Sequence, residues 1–445
     1  MSRRRGRSRQ GPSKHDPAIG REIDLTIDEI GSSGDGVGRF DGGPVYVPLA
    51  LPGDDLTARL ITKRGDGYAA ETIKAHSLTP RRQPLCRHFG ACGGCRLQHL
   101  SPIDYRQWKS QKVKSALARR GIDGVGIKPL IDGHPETRRR LRLAFSPRAR
   151  GSALGLRRRL DNDIVAVEEC PIALPLIVQL LAPFRLALPI LDLAAKGGQI
   201  SITAADNGLD ILIETPLPPS LGDREALAAL ADEEDLARLT WRESTHELPE
   251  PLSVRRQPEV DFGGVSVALP AAAFLQATDE AERAIRDSII KALGSAEMVA
   301  DLFSGCGAFG LPLALEERRV HAVDHDPGMI EALNGAASAA SLAQRVTAIA
   351  RDLDRDPLSA SELSTFDAAI LDPPRAGAHS QVEAIAEGQG PLVLAMVSCN
   401  PTTFARDART LIDAGYHLDW VQPIDAFLFA ADVELVAAFK RTIAS

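Results

Sequence analysis

The chemistry of this sequence centres on one cysteine, Cys399, in the segment Val397-Ser-Cys-Asn-Pro401. The segment follows an apolar run typical of a β-strand, and a helix is predicted to start near Pro401. A thiol beside a helix N-terminus is expected to have a lowered pKa, which favours the nucleophilic thiolate. A lone cysteine is commonly buried and inert, but its place at a strand end favours a reactive thiol.

A second segment, Ile370-Leu-Asp-Pro-Pro-Arg-Ala-Gly377, narrows the possible reactions. In methylases that act on amino groups, an Asp-Pro-Pro turn is usually followed by an aromatic residue that stacks on the base. Here Arg375 follows instead, so the sequence disfavours methylation of an exocyclic amine.

A reactive thiol would assist methyl transfer to carbon 5 of a pyrimidine. This carbon is a poor nucleophile, and a thiolate that adds at carbon 6 raises its electron density. A base must then remove the proton from carbon 5 before the thiol is expelled. Glu434, on the strand predicted to close the sheet, is the candidate base, and an exposed strand glutamate without function is the alternative.

A glycine-rich segment between Met298 and Gly310 predicts a strand, a tight turn and a helix N-terminus that could bind a nucleotide-like ligand. Gly305, Gly307 and Gly310 match G-x-G-x-x-G, and Asp324 at the end of the next strand could hold the ribose of a dinucleotide. Asp301 favours S-adenosylmethionine over a dinucleotide as the ligand, because a carboxylate at this position repels a pyrophosphate and suits the cationic amino group of a methionine moiety. A glycine turn that binds nothing is the remaining alternative.

Four further cysteines form a candidate metal site: Cys86, Cys92 and Cys95 lie close together, and Cys170 follows much later, before a proline. This arrangement fits a [4Fe-4S] cluster better than zinc, whose structural sites usually have two closely spaced pairs. Zinc and unliganded cysteines remain the alternatives.

Length, composition and charge describe a globular protein with local basic segments. The 445 residues predict about three domains. No apolar run approaches the roughly 20 residues that cross a bilayer. Residues 1–14 contain basic residues but no apolar core, so they are not expected to be a signal peptide, and a cytoplasmic protein without a membrane partner is expected. The net charge is -7, yet residues 1–14, 80–120 and 138–159 are strongly basic, which indicates binding to a polyanion.

Three predicted domains follow a disordered basic tail at residues 1–19. Short strands with turn signals predict a small OB-like β-barrel over residues 20–76, which could bind RNA. Residues 77–265 predict an α+β domain with the cysteine cluster, whose alternating arginines from Arg138 could meet phosphates. Strands alternate with helices over residues 266–445, which predicts a doubly wound α/β sheet with its ligands beyond the strand ends. The candidate residues at those ends are Asp301, Asp324, Asp352, Asp372 and Cys399.

Together, these motifs resemble the family of S-adenosylmethionine-dependent RNA 5-methyluridine methyltransferases. The four-cysteine pattern is similar to the iron-sulfur subgroup that acts on 23S ribosomal RNA. The resemblance covers nearly everything after residue 20 and implies a TRAM barrel, a central α+β iron-sulfur domain and a Rossmann-like class I methyltransferase domain. It implies that Cys399 is the nucleophile and Glu434 the base. It also implies a cofactor and uracil pocket lined by Gln276, Phe303, Ala308, Asp324, Asp352 and Asp372.

Two departures from the family pattern stand out. Ala277-Thr278 replaces a frequent Val-Asn, and Leu428-Phe-Ala-Ala-Asp-Val-Glu434 replaces Pro-x-Thr-x-His-Val-Glu, which keeps the glutamate but alters its neighbours. The expected partner is RNA, with 23S ribosomal RNA favoured over transfer RNA, and the protein is expected to be a monomer. An RNA-binding iron-sulfur protein without turnover and a dehydrogenase that binds NAD at the glycine loop are the alternatives from other classes.

Overall fold

The computed structural model describes residues 16–147, 152–159, 163–388 and 390–441. The chain divides into two compact units, one formed by Met1–Gln83 and Arg96–Ser101 and the other by Pro84–Cys95 and Pro102–Ser445. Most of the predicted basic tail lies outside the described residues, as do Arg148 and Arg150. Within the described ranges, no helix is both long enough and apolar enough to cross a membrane. The domain boundaries expected at residues 76 and 265 stay predictions.

The first unit is built on a six-stranded β-sheet in the order β1-β5-β6-β4-β3-β2. Buried and exposed residues alternate along β1, because successive side chains of a strand point to opposite faces. Ile23, Leu25 and Leu56 contribute to its small apolar core. This unit confirms the expected N-terminal β-domain. Its strands are β1 (Glu22–Thr26), β2 (Glu29–Ile30), β3 (Gly36–Phe40), β4 (Gly43–Val47), β5 (Asp55–Arg64) and β6 (Gly67–Ser77).

The second unit begins with an α-helix and a short strand and continues into a seven-stranded sheet in the order β10-β9-β8-β11-β12-β13-β14. A separate hairpin, β15-β16, follows. The helices of this part are α1 (Pro102–Ala118), α2 (Pro175–Gln179), α3 (Leu181–Ala187) and α4 (Leu221–Glu233). The strands are β7 (Gly126–Ile127), β8 (Arg140–Pro147), β9 (Ser152–Arg157), β10 (Ile164–Ala166), β11 (Gly198–Ala205), β12 (Gly208–Glu214), β13 (Arg238–Arg242), β14 (Glu250–Val254), β15 (Glu259–Asp261) and β16 (Ser266–Ala268).

The largest element is an eight-stranded sheet in the order β19-β18-β17-β20-β21-β23-β22-β7. Strands β17 to β21 run parallel, whereas β23 is antiparallel to both of its neighbours. The strands are β17 (Met298–Leu302), β18 (Arg319–Asp324), β19 (Val346–Ala350), β20 (Ala368–Leu371), β21 (Val393–Ser398), β22 (Tyr416–Ile424) and β23 (Glu434–Arg441). The helices are α5 (Asp279–Leu293), α6 (Gly310–Leu315), α7 (Pro327–Ala339), α8 (Ala360–Leu363), α9 (His379–Glu387) and α10 (Pro401–Asp413).

Two apolar cores cover the two faces of this sheet, as a doubly wound fold requires. Helices α5, α6 and α7 pack on one face and α1, α9 and α10 on the other. Along β20 the side chains alternate between the cores, with Ala368 and Ile370 in one and Ala369 and Leu371 in the other. The predicted Rossmann-like class I methyltransferase architecture is therefore confirmed, with the strand ends of β17 to β21 along one edge.

The arginines around β8, which the sequence suggested could meet phosphates, have carboxylate partners within the protein. Arg139 is buried against Glu282 of α5, whereas Arg142 contacts Glu214 at 2.8 Å and keeps 54% of its side chain exposed. A role of these arginines in binding phosphates stays a prediction. On α1, Lys109 is fully buried, whereas Lys114 is exposed.

Candidate active site

The glycine turn between β17 and α6 leaves one carboxyl group without a protein partner. Gly305 and Gly307 have φ angles of 53° and 90°, a region that glycine enters without steric cost. Asp301 is fully buried, and neither of its side-chain oxygens accepts a hydrogen bond of normal geometry. Burial raises its pKa to about 7, although the nearby backbone N–H of Gly310 opposes the shift. A side chain at Gly310 would crowd this carboxyl group, since an added Cβ would lie 2.6 Å from Oδ2. A buried carboxyl group of this kind suits a cationic ligand.

Asp324, at the end of β18, is tied to the glycine turn. Its Oδ2 accepts a hydrogen bond from the backbone N–H of Gly305 at 2.9 Å, and its Oδ1 accepts one from that of Asp326 at 3.0 Å. Phe303 begins the turn in a left-handed conformation with a φ angle of 63°, and Ala308 is partly buried within it. Asp352, beyond β19, is exposed and caps the turn that follows it.

Asp372, beyond β20, lies beside a buried amide from a different segment. The Gln276 Nε2 donates a hydrogen bond to its Oδ2 at 3.0 Å. Burial, together with the charge of Asp301, raises the pKa of Asp372 to about 7. The structure thus brings Gln276, Asp301 and Asp372 close together at one edge of the sheet.

Cys399 and Glu434 lie opposite each other across two neighbouring strands. Ser398, the last residue of β21, pairs with Leu435 of β23 in an antiparallel register. One further step of this register sets Cys399 against Glu434. The glutamate side chain is buried, with 4% of its surface exposed, so the alternative of a plain exposed glutamate does not hold. Burial, and then the charge of Asp372, raise its pKa well above the usual value.

The thiol of Cys399 differs from the prediction. Its pKa is raised to about 11, because burial and the carboxyl group of Glu434 disfavour the thiolate. The guanidinium group of Arg375 opposes this rise but does not outweigh it. The α10 N-terminus, capped by Asn400 through the N–H of Thr402, does not give the low pKa that the sequence suggested. In the protein alone, burial and the neighbouring carboxyl group therefore favour the protonated thiol of Cys399.

An ion pair lies beside this thiol. Arg375, in the turn after β20, contacts Asp432 of the loop before β23 at 2.9 Å. The same turn is held to the start of α10, since the side chains of Asn400 and Thr403 both donate to the Arg375 carbonyl oxygen at 3.2 Å. Sequence reasoning noted Asp432 as a departure from the family pattern but not its pairing with Arg375.

Sequence reasoning also missed Lys109 on α1. Its Nζ donates to Asp425 Oδ1 at 2.9 Å, in the loop that leads to Glu434. The signal was available, because Lys109 stands four residues from both Tyr105 and Val113, and all three are buried. A lysine in the apolar stripe of a helix faces the interior rather than solvent.

The four remaining candidate cysteines come from two segments that contact each other. The backbone N–H of Arg87, next to Cys86, donates to Glu169 Oε1 at 3.1 Å, next to Cys170. Burial raises the pKa of the Cys86 and Cys92 thiols, and the charge of Cys170 adds to both shifts.

A cation lies close to the same thiols. The guanidinium group of Arg138 has a pKa that burial lowers, while Cys170, Cys95 and Asp432 oppose that shift. Among the residues that the structure describes, no three His, Cys, Asp or Glu side chains are grouped as ligands of one metal ion. A [4Fe-4S] cluster sets a different requirement, because its four thiolates bind four separate irons. Four thiols, two of which lie near the partly buried guanidinium group of Arg138, have the chemistry that such an anionic cluster needs.

Comparisons with known proteins agree with this fold. A family model described as the TRAM domain matches residues 18–69. A crystal structure of Pyrococcus abyssi tRNA (uracil-54, C5)-methyltransferase in complex with S-adenosyl-L-homocysteine has a TM-score of 0.73 and 23% sequence identity. The match covers 93% of this chain and 99% of that chain. The shared fold is that of a class I methyltransferase.

Curated relatives extend over nearly the whole chain. An uncharacterized RNA methyltransferase of Mesorhizobium japonicum is 41% identical over 94% of this chain and 98% of the relative. The 23S rRNA (uracil(1939)-C(5))-methyltransferase of Aeromonas salmonicida is 30% identical over 95% of this chain and 97% of the relative. The chain therefore belongs to the family of S-adenosylmethionine-dependent RNA 5-methyluridine methyltransferases.

Proposed function

We propose that this protein transfers a methyl group from S-adenosylmethionine to carbon 5 of a uridine in 23S ribosomal RNA, through a covalent bond between Cys399 and carbon 6. The observation that carries the proposal is the register of β21 and β23, which sets Cys399 opposite the buried carboxyl group of Glu434. The similarity to a 23S ribosomal RNA enzyme supports the choice of substrate.

The first step belongs to Cys399. After the thiol has given its proton to solvent, the sulfur of the thiolate forms a bond to carbon 6, and the electron pair of the carbon 5–carbon 6 double bond becomes available at carbon 5. S-adenosylmethionine supplies the methyl group as a sulfonium, which departs as a neutral thioether when carbon 5 takes the methyl carbon. Gln276 and Asp372, which hydrogen-bond each other, are suited to hold the uracil edge beside the thiol.

The last step belongs to Glu434. Its carboxylate removes the proton from carbon 5, the carbon 5–carbon 6 double bond forms again, and the bond from carbon 6 to sulfur breaks. The thiolate of Cys399 is released, and the proton remains on Glu434. Because the uridine ring must leave its stack to reach both groups, the base is flipped into the pocket.

The charge of the pocket explains how the thiol becomes reactive. Asp301, Asp372 and Glu434 have raised pKa values, as does Cys399. A positive charge bound beside them stabilises their ionised forms and lowers each pKa. Cofactor and nucleophile are thereby coupled, since the thiolate forms where the methyl donor is present.

We propose that Cys86, Cys92, Cys95 and Cys170 hold a [4Fe-4S] cluster, for which the thiols and Arg138 have suitable chemistry. Such a cluster supplies a cross-link between the two cysteine segments when it is bound. Among the proposed cofactor contacts are also Phe303, Gly305, Gly307, Ala308, Asp324 and Asp352. Cytoplasmic location and a monomeric state stay predictions.

The test is to incubate the protein with methyl-labelled S-adenosylmethionine and, separately, with unmodified 23S ribosomal RNA and transfer RNA. We expect label in 5-methyluridine of 23S ribosomal RNA. Wild-type protein should also form a stable adduct with the same RNA containing 5-fluorouridine. In this base, fluorine replaces the hydrogen on carbon 5, so there is no proton for the base to remove and the adduct is not resolved. Cys399→Ala should form none, whereas Lys114→Met, which alters an exposed lysine of α1, serves as the control and should form the adduct.

Label found only in transfer RNA would reverse the choice of substrate. The absence of both label and adduct with the wild-type protein would favour an RNA-binding protein without turnover.

A further inference from the structure

The loop from Asp425 to Val433 joins β22 to β23 and ends at Glu434. This loop, called here the base loop, packs against α1. The Tyr105 ring lies 5.6 Å from that of Phe429, and the Tyr105 hydroxyl accepts a hydrogen bond from the Phe429 backbone N–H at 2.8 Å. Lys112 donates to the Ala431 carbonyl oxygen. The helix therefore contacts the base loop at several points along its length.

Lys109 makes the contacts that span the loop. Its ammonium group donates to Asp425 Oδ1 at 2.9 Å, to the Phe427 carbonyl oxygen at 3.1 Å and to the Asp432 carbonyl oxygen. An ammonium group has three N–H bonds, so these three acceptors use all of them. The acceptors lie at the beginning, near the beginning and near the end of the base loop. One side chain thus sets the separation of the two loop ends.

Burial makes this arrangement sensitive to the loss of any member. Lys109 and Asp425 have 0% and 1% of their side chains exposed. Burial lowers the pKa of Lys109, and the Asp425 carboxylate opposes that shift. The second oxygen of Asp425 accepts a hydrogen bond from the Tyr105 hydroxyl at 2.6 Å. Without the lysine, a carboxylate and two carbonyl oxygens would have to find water or rearrange.

We propose that Lys109 is a positioning residue that fixes the base loop and so aims the carboxyl group of Glu434 at the proton on carbon 5 of the target base. The proposal rests on the function proposed above. Cys399 is attached to β21 and not to the base loop, so Lys109 serves the last step and not the first. Loss of Lys109 should therefore slow proton removal and leave covalent bond formation intact.

The test compares Lys109→Met with Lys114→Met, an exposed lysine on the same helix. Each full-length protein is incubated with unmodified 23S ribosomal RNA and S-adenosylmethionine, and the fraction of protein in a denaturation-resistant RNA adduct is measured. Lys109→Met is expected to accumulate adduct and to release 5-methyluridine at least about tenfold more slowly, since general bases contribute roughly 10² to 10⁴ in rate. Lys114→Met should behave as wild type. Glu434→Gln provides the reference for a missing base.

A second variant covers the case in which Lys109→Met fails to fold. Tyr105→Phe removes only the hydroxyl group that bonds to Asp425 and Phe429, and it should accumulate adduct to a smaller extent. Adduct formation with 5-fluorouridine RNA should stay at the wild-type rate in both variants, which a merely structural defect would not leave unchanged.

Two outcomes overturn the proposal. In one, the folded variants turn over at the wild-type rate without adduct. In the other, they lose adduct formation with 5-fluorouridine RNA while Glu434→Gln retains it. If the wild-type protein itself forms neither 5-methyluridine nor adduct, the proposed function fails first, and the positioning role fails with it.

Discussion

Asp301 is the residue at which stability and ligand binding oppose each other. Its carboxyl group is fully buried without a hydrogen-bond partner of normal geometry. Its pKa of about 7 means that the neutral acid predominates below pH 7. A cationic ligand favours the carboxylate instead. We predict that the affinity for S-adenosylmethionine is about tenfold weaker at pH 6 than at pH 8, since one pH unit on either side of the pKa changes the ionised fraction by roughly that factor. Calorimetric titration at the two pH values measures this difference.

Asp301→Asn should bind the cofactor more weakly at pH 8 and lose most of the pH dependence. An exposed aspartate, Asp354→Asn, is the matched control and should keep the wild-type profile. The stability of the cofactor-free protein has the opposite pH dependence to the affinity for the cofactor. The folded protein holds the Asp301 proton more tightly than the unfolded chain, so the cofactor-free protein loses stability as the pH rises from about 4 to 7. A wild-type affinity that is flat from pH 6 to pH 8 would contradict the assignment.

Residue types at the strand ends could be predicted from the sequence, but their protonation states could not. Apolar runs followed by Asp301, Asp372 and Cys399 are a local pattern. The pKa of Cys399 depends on its burial and on Glu434, which is 35 positions later in the chain. The helix N-terminus next to the cysteine was the only local cue, and it indicated the wrong direction.

Among the elements, the turn after β20 and the base loop meet through the Arg375–Asp432 ion pair. Arg375 lowers the pKa of the Cys399 thiol, and Asp432 raises it. We predict that Asp432→Asn lowers this pKa and increases the rate of iodoacetamide alkylation of Cys399 at pH 8. Peptide mass spectrometry measures the rate at each cysteine, and Cys306, with a pKa of about 12, serves as the internal reference.

The ion pair is largely exposed, with 66% of the Arg375 side chain and 33% of the Asp432 side chain accessible. Its loss should change stability by less than about 1 kcal/mol. The further change Arg375→Met in the Asp432→Asn background should remove the gain in alkylation rate. An unchanged alkylation rate in Asp432→Asn would mean that the charge of Asp432 does not affect the pKa of the Cys399 thiol.

Elements with clear periodicity were predicted, whereas those set by tertiary contacts were not. The seven strands from β17 to β23 carry long apolar patterns, and they form the sheet that the sequence predicted for residues 266–445. β7 consists of two residues, too few for any pattern, yet it pairs with β22 at the sheet edge. The burial of Lys109 on α1 depends on a loop more than 300 residues later, as its separation of 316 residues from Asp425 makes clear.

Within the second unit, a buried ion pair joins the seven-stranded sheet to helix α5, which packs on the eight-stranded sheet. Arg139, beside β8, contacts Glu282 of α5 and also donates to the Gln276 carbonyl oxygen at 3.0 Å. We predict that Glu282→Gln destabilises the protein by about 3 to 5 kcal/mol, because it leaves a buried guanidinium group without its charge partner. Urea unfolding followed by circular dichroism measures the loss.

The matched control for this pair is Glu280→Gln on the same helix. Glu280 contacts His134 at 2.8 Å on the surface, so this change should cost less than about 1 kcal/mol. The double variant Arg139→Met, Glu282→Met should recover part of the loss, since apolar residues replace both charges. Equal stability of the two single variants would show that Arg139 is compensated by other groups.

The position of β23 within the sheet also affects how the chain folds during translation. This strand contains residues 434–441, the last that are described, yet it lies between β21 and β22 rather than at the margin. During synthesis, β22 leaves the ribosome before β23, so it can pair with β7 but lacks the neighbour on its other side. A nascent chain that stops before residue 434 leaves a gap inside the sheet and exposes two strand edges, which are templates for aggregation. Translational pausing near this point would therefore leave the chain without its base and vulnerable to misassembly.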